Sequence, residues 1–586
     1  MKRQYDVAVD FSKGMNTQLG SKGDQDAPLF LQDVLLDRQP EVWRRGGIPF
    51  REPHFAAQGE VLAAKNYGYG SYSGQVLVVA HPDEEYTQLT LVQQGLSAIY
   101  LFSWGSGSHS GSTTTAATIA SISLAWTYDE DEETSTPNRI TVASDTGCYV
   151  VYAWPDDDPD DPPIVNVFKV VERGTTTPLA GDGYHHTEQV NGYNFLGNRE
   201  GNSGVYTKRD FLAFSALEDS LSWEQSERKK SITTWAETGG YVQVPTGDDS
   251  NITALSSIDD KLLIFKRDSI LAMQVVADPL QWSVKRVAEL GTLDHRSIGR
   301  WKDGIVFANQ TGVWYFNGYD MVSLSDDIQD DYEQALRSGS TGNEYYSNDW
   351  RLVGEVYGDY YFLFIRDGDE DCGEHIVSFM CYLPNKAWTT LSNAEFMEIS
   401  KANRAGTALY AYRSTRTGVN NPGQMVRLDA MFDKPPGYNK SGNMNPINKP
   451  VRRVIDQGVT DAPKLKIKTR FRDMGAPNIR KTVREILVNY LLKTTNDNNN
   501  RKLSVKLQKG TQGQDYADYP ESNSDINTLE KTSYFNQNRL PMVARDTSFS
   551  VEIEESGAGT ADEVAINSIQ LGYKPMRPSR NSSPLE

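Results

Sequence analysis

Gly304-Ile-Val-Phe-Ala-Asn-Gln-Thr-Gly-Val-Trp-Tyr-Phe-Asn-Gly318 is two apolar runs parted by Gln310-Thr311-Gly312. Each run has strand length and is rich in β-branched and aromatic side chains, and the break holds turn formers. The stretch therefore predicts a β-hairpin. Just beyond it, Ser325 stands where a helix N-cap would stand. Asp326 and Asp327 follow, where a helix dipole favours anions, and Ile328, Tyr332 and Ala335/Leu336 recur on one helical face. One helix is expected there, sealing a core.

Outward from this hairpin the same pattern returns. Val76–Val79, Ile99–Phe102, Cys148–Tyr152, Ile164–Val171, Lys261–Phe265 and Tyr360–Ile365 are short β-type runs closed by Gly, Asp or Asn, and Ile376–Trp388 turns at Pro384-Asn385. Hairpins repeated from about 60 to 430 predict an all-β chain with a radially repeated sheet, a β-propeller, with a large sandwich array as the alternative. From about 455 the character changes. Leu465–Thr469, Val483–Leu492, Leu503–Leu507, Phe549–Ile553 and Ile566–Tyr573 read as a separate antiparallel β-sandwich, reached through a Pro/Gly/Asn-rich linker.

Composition narrows the function. The 586 residues carry 59 Lys+Arg against 78 Asp+Glu, a net charge of −19, which argues against a general binder of nucleic acid or anionic membrane. Three cysteines, Cys148, Cys372 and Cys381, exclude a disulfide framework and a Cys-x-x-Cys zinc ribbon, so reduced, buried thiols are expected. No apolar stretch reaches membrane-spanning length; the best, Ile486–Leu492, holds Asn489. The N-terminus lacks a signal-peptide core, so the chain is expected in a cytoplasm.

No catalytic, cofactor or metal site is expected. His185-His186, with Asp182 and Glu188 nearby, has ligand residue types, but adjacent histidines on a strand point to opposite faces and no third ligand is spaced to join them. The acidic runs 129–133 and 156–161 lack the order of a calcium loop. Ser144-Asp145-Thr146-Gly147 has the wrong spacing for a sialidase turn, and Gly68–Gly74 reads as a hairpin tip rather than a phosphate loop.

Charge is polarised along the chain. Residues 451–510 hold 15 Lys/Arg against five Asp/Glu, about +10, leaving about −29 on the rest. Within Leu465-Lys-Ile-Lys-Thr-Arg-Phe-Arg472, the cations Lys466, Lys468, Arg470 and Arg472 recur with period two, on the strand face opposite Leu465, Ile467, Thr469 and Phe471. Four like charges in a row repel one another, so the row is read either as a solvated outer face or as a candidate docking surface for an acidic partner.

Several segments together resemble the nozzle and hub proteins of short-tailed bacteriophage tails. They are Phe11-Ser-Lys-Gly-Met-Asn-Thr17, Phe30–Asp37, Trp43-Arg-Arg-Gly-Gly-Ile48, Phe211–Trp223, Asn251–Gln274, Gly291–Ile328, residues 350–430, and the ending Gly572-Tyr573-Lys-Pro575. The resemblance implies a β-propeller body with a sandwich platform. Its outline is an N-terminal segment 1–55 packing with the platform, a propeller over 56–434 with an acidic insert at about 103–162, a linker 435–450, the platform 451–575 and a tail 576–586. It further implies a virion protein assembled in the host cytoplasm as a homo-oligomeric six-fold ring below portal and adaptor. Tail fibres or spikes would be further partners, and genome DNA would pass without specific binding. In that setting the cationic row would meet the adaptor or the acidic run 129–133 of a neighbour, and Trp43, Tyr345, Tyr346 and Trp350 would be exposed interface aromatics. The alternative is a receptor- or carbohydrate-binding propeller of the phage tail; a glycosidase comes third.

Overall fold

The computed structural model describes residues within the spans 4–45, 60–104, 122–169, 184–244, 251–432 and 463–576, short interior stretches excepted. The acidic runs 129–133 and 156–161, the linker 435–450, Cys372, Tyr345, Tyr346, Trp350 and Arg472 lie outside the described residues.

The hairpin forms as strands Gly304–Asn309 and Gly312–Phe316, with Asn309 Oδ1 accepting from Thr311 N at 2.8 Å in the turn. Every residue of Gly304–Asn309 is buried, because both faces of this sheet are covered. Ile305, Phe307 and Phe316 pack on Ile258, Leu263 and Phe265 of the preceding sheet, and Val306 and Val313 pack into the main core with Ile328, Tyr332 and Leu352. A strand covered on both faces reads as an unbroken apolar run, which is how this one reads.

Seven antiparallel sheets of this kind follow one another among the described residues, at 60–104, 122–169, 184–243, 252–288, 299–323, 351–390 and 398–427. The first strands lie side by side from Glu60–Tyr67 through Ile122–Thr127 and Tyr184–Val190 to Ile252–Ile258, which meets the turn His295–Ser297; that turn and Gly299–Trp301 meet Arg351–Tyr357, which lies beside Glu398–Lys401. The last of these returns to Glu60–Tyr67 and closes the ring. The body is a β-propeller, and closure covers the two faces that an open stack would leave bare.

The C-terminal part is a two-layer β-sandwich that is not detached from the ring. One layer is the sixth blade continued: its strand Ala387–Thr390 is joined by Pro28–Gln32, then Lys466–Thr469, Ser548–Ser556 and Lys502–Gly510, in one ten-stranded sheet. The other layer holds Val34–Leu35, Val42–Arg44, Glu563–Pro575, Lys481–Lys493 and Asn536–Asp546, with Gln4–Val7 added to Glu563–Pro575. Ile467, Val505, Val551 and Ile553 face Ile486, Val488, Ile566 and Leu571 across the core. The reading of a separate sandwich is thus corrected: the N-terminal strand Pro28–Gln32 supplies backbone pairing to both parts at once.

Two other expectations change. A 3₁₀ turn, Asp326–Ile328, precedes the helix Gln329–Ser338, and Ser325 does not cap it; its Oγ accepts from Val313 N at 2.9 Å, locking the hairpin to the helix entry. Trp43 is not an exposed tip. It lies mid-strand, half-buried, edge-on to Phe535 with 6.1 Å between ring centres. No helix among the described residues is long and apolar enough to cross a membrane.

Candidate functional site

The strand Lys466–Thr469 buries Leu465, Ile467 and Thr469 and turns Lys466 and Lys468 to the other face. Its neighbour Ser548–Ser556 answers those charges. Lys466 stands opposite Glu554 and Lys468 opposite Glu552, and Lys466 Nζ lies 3.7 Å from a carboxylate oxygen of each glutamate. From the far side Lys506 stands opposite Glu552. The face is therefore striped, with basic, acidic and basic strands in turn. Arg470 is directed elsewhere: it donates to the Asn16 carbonyl, Asn16 Oδ1 and the Gln18 carbonyl at 2.6, 2.6 and 2.7 Å, clamping the N-terminal segment. The repulsion that argued for an outside partner is met inside the sheet for Lys466, and Arg470 serves as an internal tie. The missed signal was present in the sequence: Glu552 and Glu554 alternate with Val551 and Ile553 at the same period of two.

A second polar concentration sits where the innermost strands of the blades converge. Asp294 is bound by Arg296, with Nη2 to Oδ2 at 2.5 Å and Nε to both carboxylate oxygens at 3.0 and 3.1 Å. Burial alone would raise the Asp294 carboxyl, but the Arg296 charge and hydrogen bonds outweigh it and hold it below the usual carboxylate range. Glu398, on the seventh blade, has the opposite fate. Burial pushes its carboxyl up to about 8, with the Arg296 charge and the Ile399 N–H only partly opposing. Its Oε1 accepts from Ile399 N at 3.1 Å, while its Oε2 is buried without a hydrogen-bond partner. Nearby, Ser257 donates to Glu188 Oε1 at 3.1 Å, and Arg300 contacts both, joining the third, fourth and fifth blades.

One raised and one lowered carboxyl in a shared environment is the pattern of an acid and its partner in glycoside hydrolysis. Here Asp294 also accepts from the Arg296 backbone N–H at 3.0 Å, capping its own turn, so both its oxygens are committed to structure. Cys148 and Cys381 form no disulfide and are buried, and burial pushes the Cys381 thiol well above its ordinary value. Among the described residues no set of three or more His, Cys, Asp or Glu side chains is placed to hold a metal ion. His185 and His186 do diverge, one half-buried and one buried, with ring centres 6.2 Å apart.

The N-terminal segments Phe11–Thr17, Phe30–Asp37 and Trp43–Arg45 meet the propeller and the sandwich at their joint. Gly14, at φ +64°, lies so close to the Ala387–Trp388 backbone that a Cβ would collide with it, and Met15 N donates to the Trp388 carbonyl at 2.9 Å. Asn16 Nδ2 donates to Asp327 Oδ1 at 2.8 Å. Arg44 reaches Glu555 at 2.7 Å, and Arg45 reaches Asp33 at 2.7 Å and the Ser392 carbonyl at 2.7 Å.

No protein-family model matches the chain, and no curated protein matches it. Among solved structures it is similar to BBS1N in complex with ARL6DN, soaked with lead, at 10% identity and a TM-score of 0.35, covering 66% of this chain and 97% of that one. The mercury-soaked form of the same complex is similar at 9% identity, with the same TM-score and coverage. Likeness at this level carries no inference about activity or partners.

Proposed function

We infer that this chain is a structural protein of a short-tailed bacteriophage virion, a nozzle or hub subunit that forms a homo-oligomeric ring below portal and adaptor and conducts genome DNA without gripping it. One observation supports the reading: two of the segments that resemble that family, Phe30–Asp37 and the one that begins Trp43-Arg-Arg45, join ring to platform through the continuous sheet at Pro28–Gln32 and the buried pairs of Arg44 and Arg45. A subunit that must stand in a conduit under load needs its two parts to move as one, and a shared sheet with charge-locked ends gives that stiffness. The net charge of −19 supports the passage of DNA without adhesion, since phosphate is repelled rather than held. The partners proposed are further copies of the chain, portal and adaptor proteins, and tail fibres or spikes. Its place is the virion tail, after assembly in the host cytoplasm.

Native mass spectrometry and negative-stain microscopy of the purified chain, alone and with its adaptor, test this. Closed six-fold rings that do not shift duplex DNA in a gel at physiological salt are expected. A strict monomer under both conditions overturns the ring, and retention on cells or glycans by that monomer assigns a receptor- or carbohydrate-binding propeller instead.

A further inference from the structure

Seven large apolar side chains are exposed among the described residues. Five of them, Tyr5, Val7, Ile479, Val543 and Met576, belong to the sandwich layer built on Glu563–Pro575 and Lys481–Lys493, or to its strand ends. Register pairs Tyr5 with Gly572 and Val7 with Gln570, in alternation with the buried Ile569 and Leu571, so both side chains stand on the face turned away from the core. Gly572 leaves room for Tyr5 to cross the sheet and donate to Glu485 Oε1 at 2.8 Å. Val543, 60% exposed, projects where the pairing between Val483 and Glu485 is interrupted. Single exposed apolar residues are ordinary, but a group of them on one sheet face calls for a cover.

Cations surround this apolar centre. Lys574 and Arg545 flank Thr482 in one row across three strands, Arg484 is exposed at the interruption, and Arg480 is exposed beside Met576, whose N–H donates to the Arg480 carbonyl at 2.9 Å. Glu485 is only 1% exposed and is committed to Tyr5 and Arg539. Tyrosine and arginine around an apolar middle make the composition of a protein interface.

Such a face cannot meet its own copy across a two-fold axis, because like charges would be pressed together. Its complement stands on the propeller. The turns joining first to second strand in the fourth, fifth and sixth blades lie at one end of the ring and expose Asp259, Asp260, Asp303 and Asp359. Asp320 joins them on the tip after Phe316, next to Tyr319, which is 78% exposed. Lys261 of the fourth blade holds the Tyr319 ring, its Nζ 4.8 Å from the ring centre, and Tyr315 donates to Asp303 at 3.0 Å, so tip and turns form one acidic surface with an aromatic anchor. Lys302 is turned onto the Trp301 ring, 4.3 Å from its centre. Both surfaces are open in the single chain, so neither covers the other within one copy.

We propose that the basic sandwich face of one copy seats on the acidic propeller end of the next, with Tyr5 and Val543 central on one side and Tyr319 on the other. The occupant is a second copy of this chain because both halves of the match are present on it. The contact is head-to-tail, and its repetition generates a ring when the rotation closes. It names the contact of the ring inferred above and rests on that reading.

Sedimentation velocity and native mass spectrometry of the full-length chain, at low and high salt, test it. Wild type should form rings that loosen at high salt. Arg484→Glu with Arg545→Glu, and separately Asp259→Arg with Asp320→Arg, should each weaken association by about a hundredfold and keep the wild-type fold by circular dichroism, since all four side chains are exposed. The four changes in one chain exchange the two signs and should restore assembly. Val543→Asp should weaken it as well. Rings of wild-type strength in either double variant overturn this contact and leave the ring itself standing, as does a fourfold variant that stays apart. A wild type that remains monomeric overturns both. Loss of duplex-DNA binding without loss of assembly in Arg484→Glu with Arg545→Glu assigns the face to phosphate and overturns the proposal too.

Discussion

Arg45 Nε lies 2.7 Å from Asp33 Oδ1, and neither side chain has any exposed surface. Asp33 holds the left-handed conformation at φ 57° and accepts as well from Ser392 N at 3.0 Å, while Arg45 donates onward to the Ser392 carbonyl at 2.7 Å. The pair thus joins the N-terminal segment to the end of the sixth blade. Breaking one partner of such a pair strands a buried charge, so Arg45→Ala is expected to cost about 3–5 kcal/mol. Urea denaturation of the variant checks this; a change below about 1 kcal/mol would show that the joint is not stabilised there.

Gly14→Ala is expected to destabilise by about 2 kcal/mol or more, since an L-residue at positive φ costs roughly 1–2 kcal/mol before any clash. The clash here is with the Ala387–Trp388 backbone, which cannot turn aside as a side-chain tip could. Limited proteolysis should cut the N-terminal segment of the variant faster than that of wild type, and equal rates would refute the expectation.

Glu398 makes stability depend on pH in a definite direction. Its carboxyl is raised from 4.5 to about 8, so between those values the folded chain keeps a proton that the unfolded chain has released. Stability contributed at this position therefore falls as pH rises from about 4.5 to 8, by on the order of 5 kcal/mol. Glu398→Gln, neutral throughout, should match wild type near pH 5 and melt higher than wild type at pH 8.5. Melting curves of the two proteins across that range decide it; a constant difference at all pH values would mean that Glu398 does not titrate there.

Lys466→Glu puts a third carboxylate beside Glu552 and Glu554. From the strand pattern alone, replacing Lys466, Lys468 and Arg470 by Glu should leave folding intact, because the apolar face is untouched. The register changes that expectation: the single Lys466→Glu variant should lose about 1 kcal/mol, a half-exposed pair being worth little and the new repulsion a similar amount, with recovery at high salt. A loss unaffected by salt would point to packing instead.

The sequence by itself determined the strands, most of their turns and the all-β class, because those depend on side-chain alternation and turn chemistry within a few residues. Gly304–Gly318 could be read as a hairpin from its own letters, and the helix after Ser325 from its acidic first turn and apolar face. What only the tertiary structure decided is who partners whom. Ser325 could cap by local rules, yet the hairpin's Val313 N–H claims its hydroxyl. Lys466 and Lys468 look like an unanswered cationic row until Ser548–Ser556 pairs alongside and brings Glu552 and Glu554 into register. Arg44 meets Glu555 from 511 positions away, and His186 meets His295 from 109 positions away. Local propensity acts through neighbours in the chain, whereas the partner of a buried charge or an imidazole is set by ring closure and strand register, which exist only once the whole chain has packed.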